Sequence, residues 1–394
     1  MFKNKLWFFL ACLMIMSLVL TACGQTKSDK PILIGGALCL TGIQAPLDEP
    51  AMRGAQLAVD VLNKKGGILG RKVEFVNLDG KSDPVTVGSV AVQLIDKGVV
   101  AIIPPSDFDF GGPAAREAQK AGIVGISPSA SSPLYGSKAL GDKQFTLSMW
   151  NTTMGAVTAE YAFKQKGWKV GYVVTDTFID YTKSLSRYFI QAFKDYGGTI
   201  LFEDTYVQGD QDFSAQLARI QALKEKPDFI YISSYMPDLG TIIRTIREAG
   251  IKTPVIGGDS YDDPGLFKAL GPDYGNDIIF DTHGYLSADS RPGMKEFLQQ
   301  YKDKFNKEPD ALWVVPGYDV VMVLAQAMEK AGTTDGAAVA KAMEGTDYKL
   351  LTGDLKWSSA ADGHAPDKAA VLVDLKAGQP NFLGWVRPEK VPAP

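Results

Sequence analysis

The chain has 394 residues, 45% of them hydrophobic and 22% charged, enough to bury a large core and to form two domains of about 100–200 residues each. Its formal net charge of −4 comes without any basic run, which offers nucleic acid or an anionic membrane surface little to hold. With two histidines (His283 and His364), three cysteines and no G-x-S-x-G elbow, a His/Cys metal cluster is excluded and a triad hydrolase is hard to build, although carboxylate-only chemistry survives the count.

Lys3 and Lys5 precede an almost wholly apolar run from Leu6 to Leu20, and small residues then lead to a cysteine in Leu20-Thr21-Ala22-Cys23-Gly24. This is the layout of a secretory signal, and the run is shorter than the about 20 residues a spanning helix needs. Leu-Thr-Ala-Cys resembles the bacterial lipoprotein box. The resemblance implies that residues 1–22 are removed and that Cys23 is lipidated and becomes the N-terminus; ordinary cleavage after Ala22 is the alternative. Residues 23–30 then read as a polar tether, and losing Lys3 and Lys5 makes the remainder more acidic by two charges. Cys12 leaves with the signal, so Cys39 has no partner for an intramolecular disulfide. It reads as a small buried residue rather than a reactive thiol.

From residue 31 to about 282, short β-branched runs alternate with amphipathic stretches. Residues 32–38, 73–78, 99–103 and 123–126 are predicted strands, with helices over 51–64, 84–97 and 113–121 between them. Ala51, Ala55, Ala58, Val59 and Leu62 form one stripe at helical spacing. Asp83-Pro84 is a helix start, and Gly66-Gly67 ends the preceding helix. The pattern repeats with strands over 168–174, 199–206, 228–233, 254–256 and 278–281, and helices over 155–166, 181–196, 213–224, 239–248 and 264–270. Continuous apolar strands argue for parallel sheets covered by helices on both faces. One sheet of nine or more strands is large, so two α/β lobes are expected, with a break near residues 149–153. Helices over 293–305, 316–331 and 337–344 and a last strand over 370–375 follow, and these are expected to return to the lobes and form a hinge.

Asn63-Lys64-Lys65-Gly66-Gly67-Ile68-Leu69-Gly70-Arg71-Lys72, followed by Asp79, resembles the periplasmic leucine/isoleucine/valine-binding protein family. Further matches follow in order: Gly36-Ala37-Leu38 leading to Thr41-Gly42, Arg53-Gly54-Ala55, Ile126-Ser127-Pro128-Ser129-Ala130-Ser131, and Gly257-Gly258-Asp259-Ser260. The likeness spans about residues 31–385. It implies a type I periplasmic binding protein fold, two Rossmann-like lobes with parallel sheets joined by a three-segment hinge. Residues 31–152 and 284–369 would form the N-terminal lobe, and 153–283 with 370–394 the C-terminal lobe. It also implies a non-enzymatic, lipid-anchored receptor on the periplasmic or outer face of a bacterial membrane, which delivers a small ligand to ABC permease subunits. No cofactor is expected, and the chain is expected to act as a monomer.

The same resemblance implies a set of ligand-binding residues in the cleft. Ser129 and Ser131, on the loop after the fourth strand together with Ser127, would hold an α-carboxylate and share in binding an ammonium. A Ser/Pro turn satisfying its own backbone is the alternative. Asp259 matches an ammonium-binding acid, against a turn acid before Pro264. Tyr181 and Tyr235 match aromatics that close over the ligand, and Trp313 one that contacts its side chain, against ordinary half-buried or core aromatics. Two departures stand out. Phe108, in Pro104-Pro105-Ser106-Asp107-Phe108-Asp109-Phe110-Gly111-Gly112, replaces an expected serine, leaving Ser106 or backbone N–H groups to substitute. Leu47 stands where the family often has tyrosine. The reading is a receptor for a hydrophobic amino acid, branched-chain first and aromatic second. Its rivals are a receptor for an amide, urea or aromatic carboxylate, and an anchored sensor that signals without transport.

Overall fold

The computed structural model describes residues 30–210 and 212–394. The expected signal and Cys23 lie outside the described residues. The first lobe runs β1 (Ile32–Gly36), α1 (Ala45–Lys64), β2 (Val73–Asn77), α2 (Pro84–Asp96), β3 (Ala101–Ile103), α3 (Phe108–Lys120), β4 (Val124–Ser127), a helical turn at Ser137–Leu140, and β5 (Gln144–Thr146). Its sheet has the order β2-β1-β3-β4-β5, with every pairing parallel. Parallel neighbours need crossovers, and here helices supply them on both faces. Ile32, Ile34, Ile103 and Ile126 pack on Ala55, Ala58, Val59 and Leu62 of α1. From the other face, Ala37 and Ile102 meet Val87, Ala91 and Leu94 of α2 and Ala114 and Ala118 of α3. Strands covered twice have no polar side, which is why they read as unbroken apolar runs.

The second lobe holds α4 (Asn151–Glu160), β6 (Val170–Asp176), α5 (Asp180–Asp195), β7 (Thr199–Tyr206), α6 (Ser214–Ala222), β8 (Phe229–Ser233), α7 (Asp238–Glu248), β9 (Val255–Gly257), α8 (Pro264–Tyr274) and β10 (Ile278–Thr282). The chain then returns through α9 (Met294–Phe305), α10 (Val314–Ala331), α11 (Gly336–Met343) and a small antiparallel sheet of β11 (Tyr348–Leu350), β12 (Gly353–Trp357) and β13 (Pro366–Lys368). It ends with β14 (Ala370–Lys376) and β15 (Gln379–Val386) in the second sheet, whose order is β15-β14-β10-β9-β8-β6-β7. Val320, Leu324 and Met328 of α10 and Trp357 of β12 join the core of the first sheet. The Trp357 indole also donates to the Thr146 carbonyl at 2.9 Å. The chain therefore crosses between the lobes three times: between residues 146 and 170, between 282 and 294, and between 368 and 370. No helix among the described residues is long and apolar enough to cross a membrane.

Three expectations need correction. The second sheet is not wholly parallel, because β14 runs antiparallel to β10 and β15 to β14. The half-exposed β15 is not among the predicted strands, its apolar stretch Phe382-Leu383 and Trp385-Val386 being interrupted by Gly384. Helix α1 begins at Ala45, which places Leu47 inside a helix rather than on a loop. Helix α3 begins at Phe108, not residue 113, and contains Pro113. Gly111-Gly112-Pro113 looks like a break, yet a Cβ on Gly111 would come 2.6 Å from the Pro105 carbonyl oxygen. That glycine answers a tertiary contact rather than ending a helix.

Helices α1 and α10 touch backbone to backbone. A Cβ at Gly54 would lie 1.9 Å from the Val314 carbonyl oxygen, and one at Gly317 1.9 Å from that of Ala51. Gly317→Ala must therefore push the returning segment off the first lobe. The expected loss is about 1–3 kcal/mol, the usual range for overpacking, read as a lower midpoint in urea unfolding. An unchanged midpoint would show that the helices can part without cost.

Candidate ligand-binding site

Apart from Trp313, which caps α10, the candidate side chains lie on segments that follow the carboxyl end of a strand, where loops and helix N-termini converge in open α/β sheets. From the first lobe come Gln44, just before α1; Asp107, between β3 and α3; and the loop 127–132 after β4. The second lobe contributes Tyr181 in the first turn of α5, Tyr235 after β8, Asp259 after β9 and His283 after β10. Gly257-Gly258 lets this last group assemble. A Cβ on Gly257 would strike the Tyr261 ring at 2.0 Å, and one on Gly258 would come 2.9 Å from the Tyr181 hydroxyl.

Asp259 is only 4% exposed. Its Oδ1 accepts the Tyr181 hydroxyl at 2.6 Å, and its Oδ2 lies 2.8 Å from His283 Nε2. Burial is the largest influence on His283 and lowers its pKa. The ring is therefore neutral and donates Nε2–H to the carboxylate. A carboxylate offers about four acceptor positions, so two remain for a ligand. The His283 ring stands edge-on to Trp313, with centroids 5.5 Å apart, which sets that tryptophan one residue behind the acid. The Tyr181 and Tyr235 rings lie 5.0 Å apart.

Across the cleft, Asp107 is 2% exposed. Its Oδ2 accepts Gln44 Nε2–H at 2.7 Å and the Tyr235 hydroxyl at 3.1 Å, so the second bond spans the two lobes. Further bonds cross beside it. The Asp180 amide donates to Asp109 Oδ2 at 2.9 Å, and Ser132 Oγ donates to Asp180 Oδ2 at 2.5 Å. Phe110 packs in the second-lobe cluster that holds Tyr181 and Ile179. Together these contacts hold the cleft shut.

The serine loop divides its roles. Ser127 Oγ donates to the Pro105 carbonyl and accepts the Ala130 amide, tying two loops together. Ser129 is buried in the same loop. Ser131 Oγ is buried without a hydrogen-bond partner among the described residues. Ser106 has its amide and its hydroxyl on Asp48 Oδ1, at 3.0 and 2.6 Å, so the hydroxyl expected to face a ligand is already engaged. Asp48 also accepts the Cys39 amide at 2.9 Å. Burial and the nearby Asp48 charge push the Cys39 thiol well up, which fits an inert buried residue.

The structure thus brings Tyr181, Tyr235 and Asp259 together, with Trp313 behind His283. Phe108 is placed apart from them: it packs on Ala115, Ala130, Tyr135 and Leu140, with Arg116 over its ring at 5.8 Å. Leu47 is buried in α1 beside Asp48. Gln44, Asp107 and His283 were not singled out from the sequence. Asp107 had a signal, an acid directly before a helix, but the predicted start of α3 concealed it. His283 counted only against a metal site, and Gln44 offers no local signal.

The periplasmic binding protein family profile matches residues 31–380. The chain belongs to that family. A Leu/Ile/Val-binding protein of Rhizobium johnstonii, BraC3, is 29% identical over 84% of this chain and 88% of its own length. Among solved structures, the branched-chain amino acid transporter substrate-binding protein LivJ of Streptococcus pneumoniae, in complex with isoleucine, superposes with a TM-score of 0.82. It is 28% identical, and the match covers 91% of this chain and all of that one. The leucine-binding protein LivK of Thermotoga maritima gives 0.81 at 30% identity, covering 91% of this chain and 99% of its own. The expected two-lobed type I fold is therefore the observed one. A periplasmic binding protein is a solute carrier of the extracytoplasmic space rather than an enzyme, and its relatives include a Leu/Ile/Val-binding protein and the substrate-binding protein of a branched-chain amino acid transporter.

Proposed function

We propose that this periplasmic binding protein captures a small hydrophobic solute of the amino-acid class, branched-chain first, and presents it to an ABC permease. Asp259 carries the reading. It is a buried carboxylate steadied by two neutral donors, Tyr181 and His283, with acceptor positions left over. That arrangement suits a ligand ammonium, since charge-assisted hydrogen bonds are roughly twice as strong as neutral ones. Ser129 and Ser131 line the opposite wall, and Tyr181, Tyr235 and Trp313 supply aromatic area for an apolar side chain.

Capture proceeds by closure about the three crossings. The Tyr235–Asp107 and Asp180–Asp109 bonds form only when the lobes meet, and a ligand touching both lobes favours that state by its differential affinity. The lobes comprise residues 31–152 with 284–369, and 153–283 with 370–394. The protein works as a monomer held to the membrane through lipid on Cys23. The test is a thermal-shift screen of branched-chain and aromatic amino acids and their carboxamides, with N-acetylated forms as controls without an ammonium. Saturation at 100 times the dissociation constant adds about 2.7 kcal/mol, an easily seen rise in melting temperature. If no free amine raises it, or if N-acetyl forms do so equally, the reading falls.

A further inference from the structure

The wall facing Asp259 pairs two acceptors, the Asp107 carboxylate and the Gln44 carbonyl, with the Ser131 hydroxyl. Asp107 has both oxygens in the buried cleft, where they accept from Gln44 and Tyr235. Bonding of Gln44 Nε2–H to a carboxylate fixes the orientation of that amide. Its Oε1 therefore points elsewhere, buried and without a partner among the described residues. Ser131 Oγ, on the adjoining loop, is buried and unpartnered in the same way. Asp109 and Asp180 add two more carboxylates at the same lobe junction.

Neither Asp107 nor Asp259 has a hydrogen bond from a lysine or arginine among the described residues. Arg116 lies over Phe108, and Lys368 donates to the Leu147 carbonyl at 2.7 Å and Thr352 Oγ1 at 3.0 Å. Burial, and after it the Asp259 charge, pushes Asp107 up to about 7, as expected where negative charge is already crowded.

We infer that Asp107 is a specificity-determining residue that selects a ligand whose end opposite the ammonium carries N–H donors and no charge, a primary carboxamide, over the corresponding carboxylate. The inference rests on the proposed function, since it takes the ammonium on Asp259 as given. A carboxamide offers two N–H groups to Asp107 and Gln44 Oε1 and a carbonyl to the Ser131 hydroxyl. A free amino acid instead sets a second anion against Asp107, a like-charge contact that discriminates strongly at a dry site.

Calorimetric titration with leucinamide and leucine at pH 8, where the Asp107 carboxyl is mainly ionised, decides the matter. Each affinity is referred to the ammonium form of the ligand, since the leucinamide amine is partly deprotonated there. Leucinamide is expected to bind the wild-type protein at least tenfold more tightly than leucine. In Asp107→Asn, which keeps the shape and removes the charge, that ratio should fall at least tenfold. Equal or tighter binding of leucine to the wild-type protein overturns the inference, and that comparison stands even if the variant fails to fold. A ratio that Asp107→Asn leaves unchanged overturns the assignment to Asp107. If neither compound binds, the proposed amino-acid-class function has failed instead.

Discussion

Asp259→Ala is expected to abolish measurable binding of any amine-bearing ligand while leaving the melting temperature of the ligand-free protein nearly unchanged. The carboxylate has its two oxygens held by neutral donors, Tyr181 and His283, with acceptor positions left for a ligand. Without it, a desolvated ammonium has no counter-charge, and losing one partner of a buried charged pair costs about 2–5 kcal/mol, or roughly 30-fold to several thousand-fold in affinity. The effect on the empty protein is small because two changes offset. Tyr181 and His283 lose an acceptor, but a buried charge that raises the pKa of both Asp107 and Asp281 also disappears. Titration calorimetry reads the first effect and differential scanning calorimetry the second. Wild-type affinity in this variant would refute the ammonium role, whereas a collapse in melting temperature would mark Asp259 as structural.

The protein should also be more stable at pH 5.5 than at pH 8, against the usual expectation for an acidic protein. Asp48, Asp107 and Asp262 are each pushed up to about 7, with burial the largest cause in every case. Asp281, whose two oxygens have no hydrogen-bond partner among the described residues, is raised further by burial and by Asp259. A carboxyl raised on folding binds a proton that the unfolded chain has released. Its stabilisation is complete below the unfolded value near 4 and fades as pH climbs through about 7. Between pH 8 and pH 5.5 each of the three groups gains about 2 kcal/mol.

Two buried bases oppose this. Burial lowers Lys368 to about 7 and lowers His283 as well. Both bind fewer protons folded than unfolded, so acid disfavours them; Lys368 returns about 1 kcal/mol over the same interval. With about 6 kcal/mol from the three carboxyls, more from Asp281, and about 1 kcal/mol returned by each base, the net expectation is a gain on the order of 4 kcal/mol on acidification, seen as a melting temperature several degrees higher. Asp48→Asn should reduce the slope without removing it. A melting temperature that is flat or falls towards pH 5.5 would show these carboxyls to be ionised in the folded state.

Much of the architecture was legible because local forces set it. The Asp83 carboxylate accepts the Thr86 amide at 2.7 Å, the N-cap that Asp83-Pro84 announces, and β7 spans the predicted residues 199–206. Strands buried on both faces declared themselves by composition alone. What escaped notice was held by distant partners. The three-residue strand β5 exists because it pairs with β4. The β11–β13 sheet is anchored by Trp357 edge-on to Phe145, 5.2 Å away. Neither has enough apolar run of its own to show a period.

The same division holds at the cleft. Asp259, Tyr181 and Tyr235 stood out from their motifs, but nothing near Asp107 in the chain says that it meets Gln44 and Tyr235, 63 and 128 residues away. Nor does anything near Asp259 name Tyr181, 78 residues back, as its donor. The amino-acid sequence by itself determined the alternation of strands and helices, the two-lobed family fold and the loops that reach the cleft, because apolar periodicity and capping act over a few residues. Only the tertiary structure decided which acid faces which hydroxyl, and which polar atoms stay unpaired in the closed cleft. Those pairings join segments far apart in the chain, within a lobe for Tyr181–Asp259 and between lobes for Tyr235–Asp107, and burial then shifts the charge each group carries.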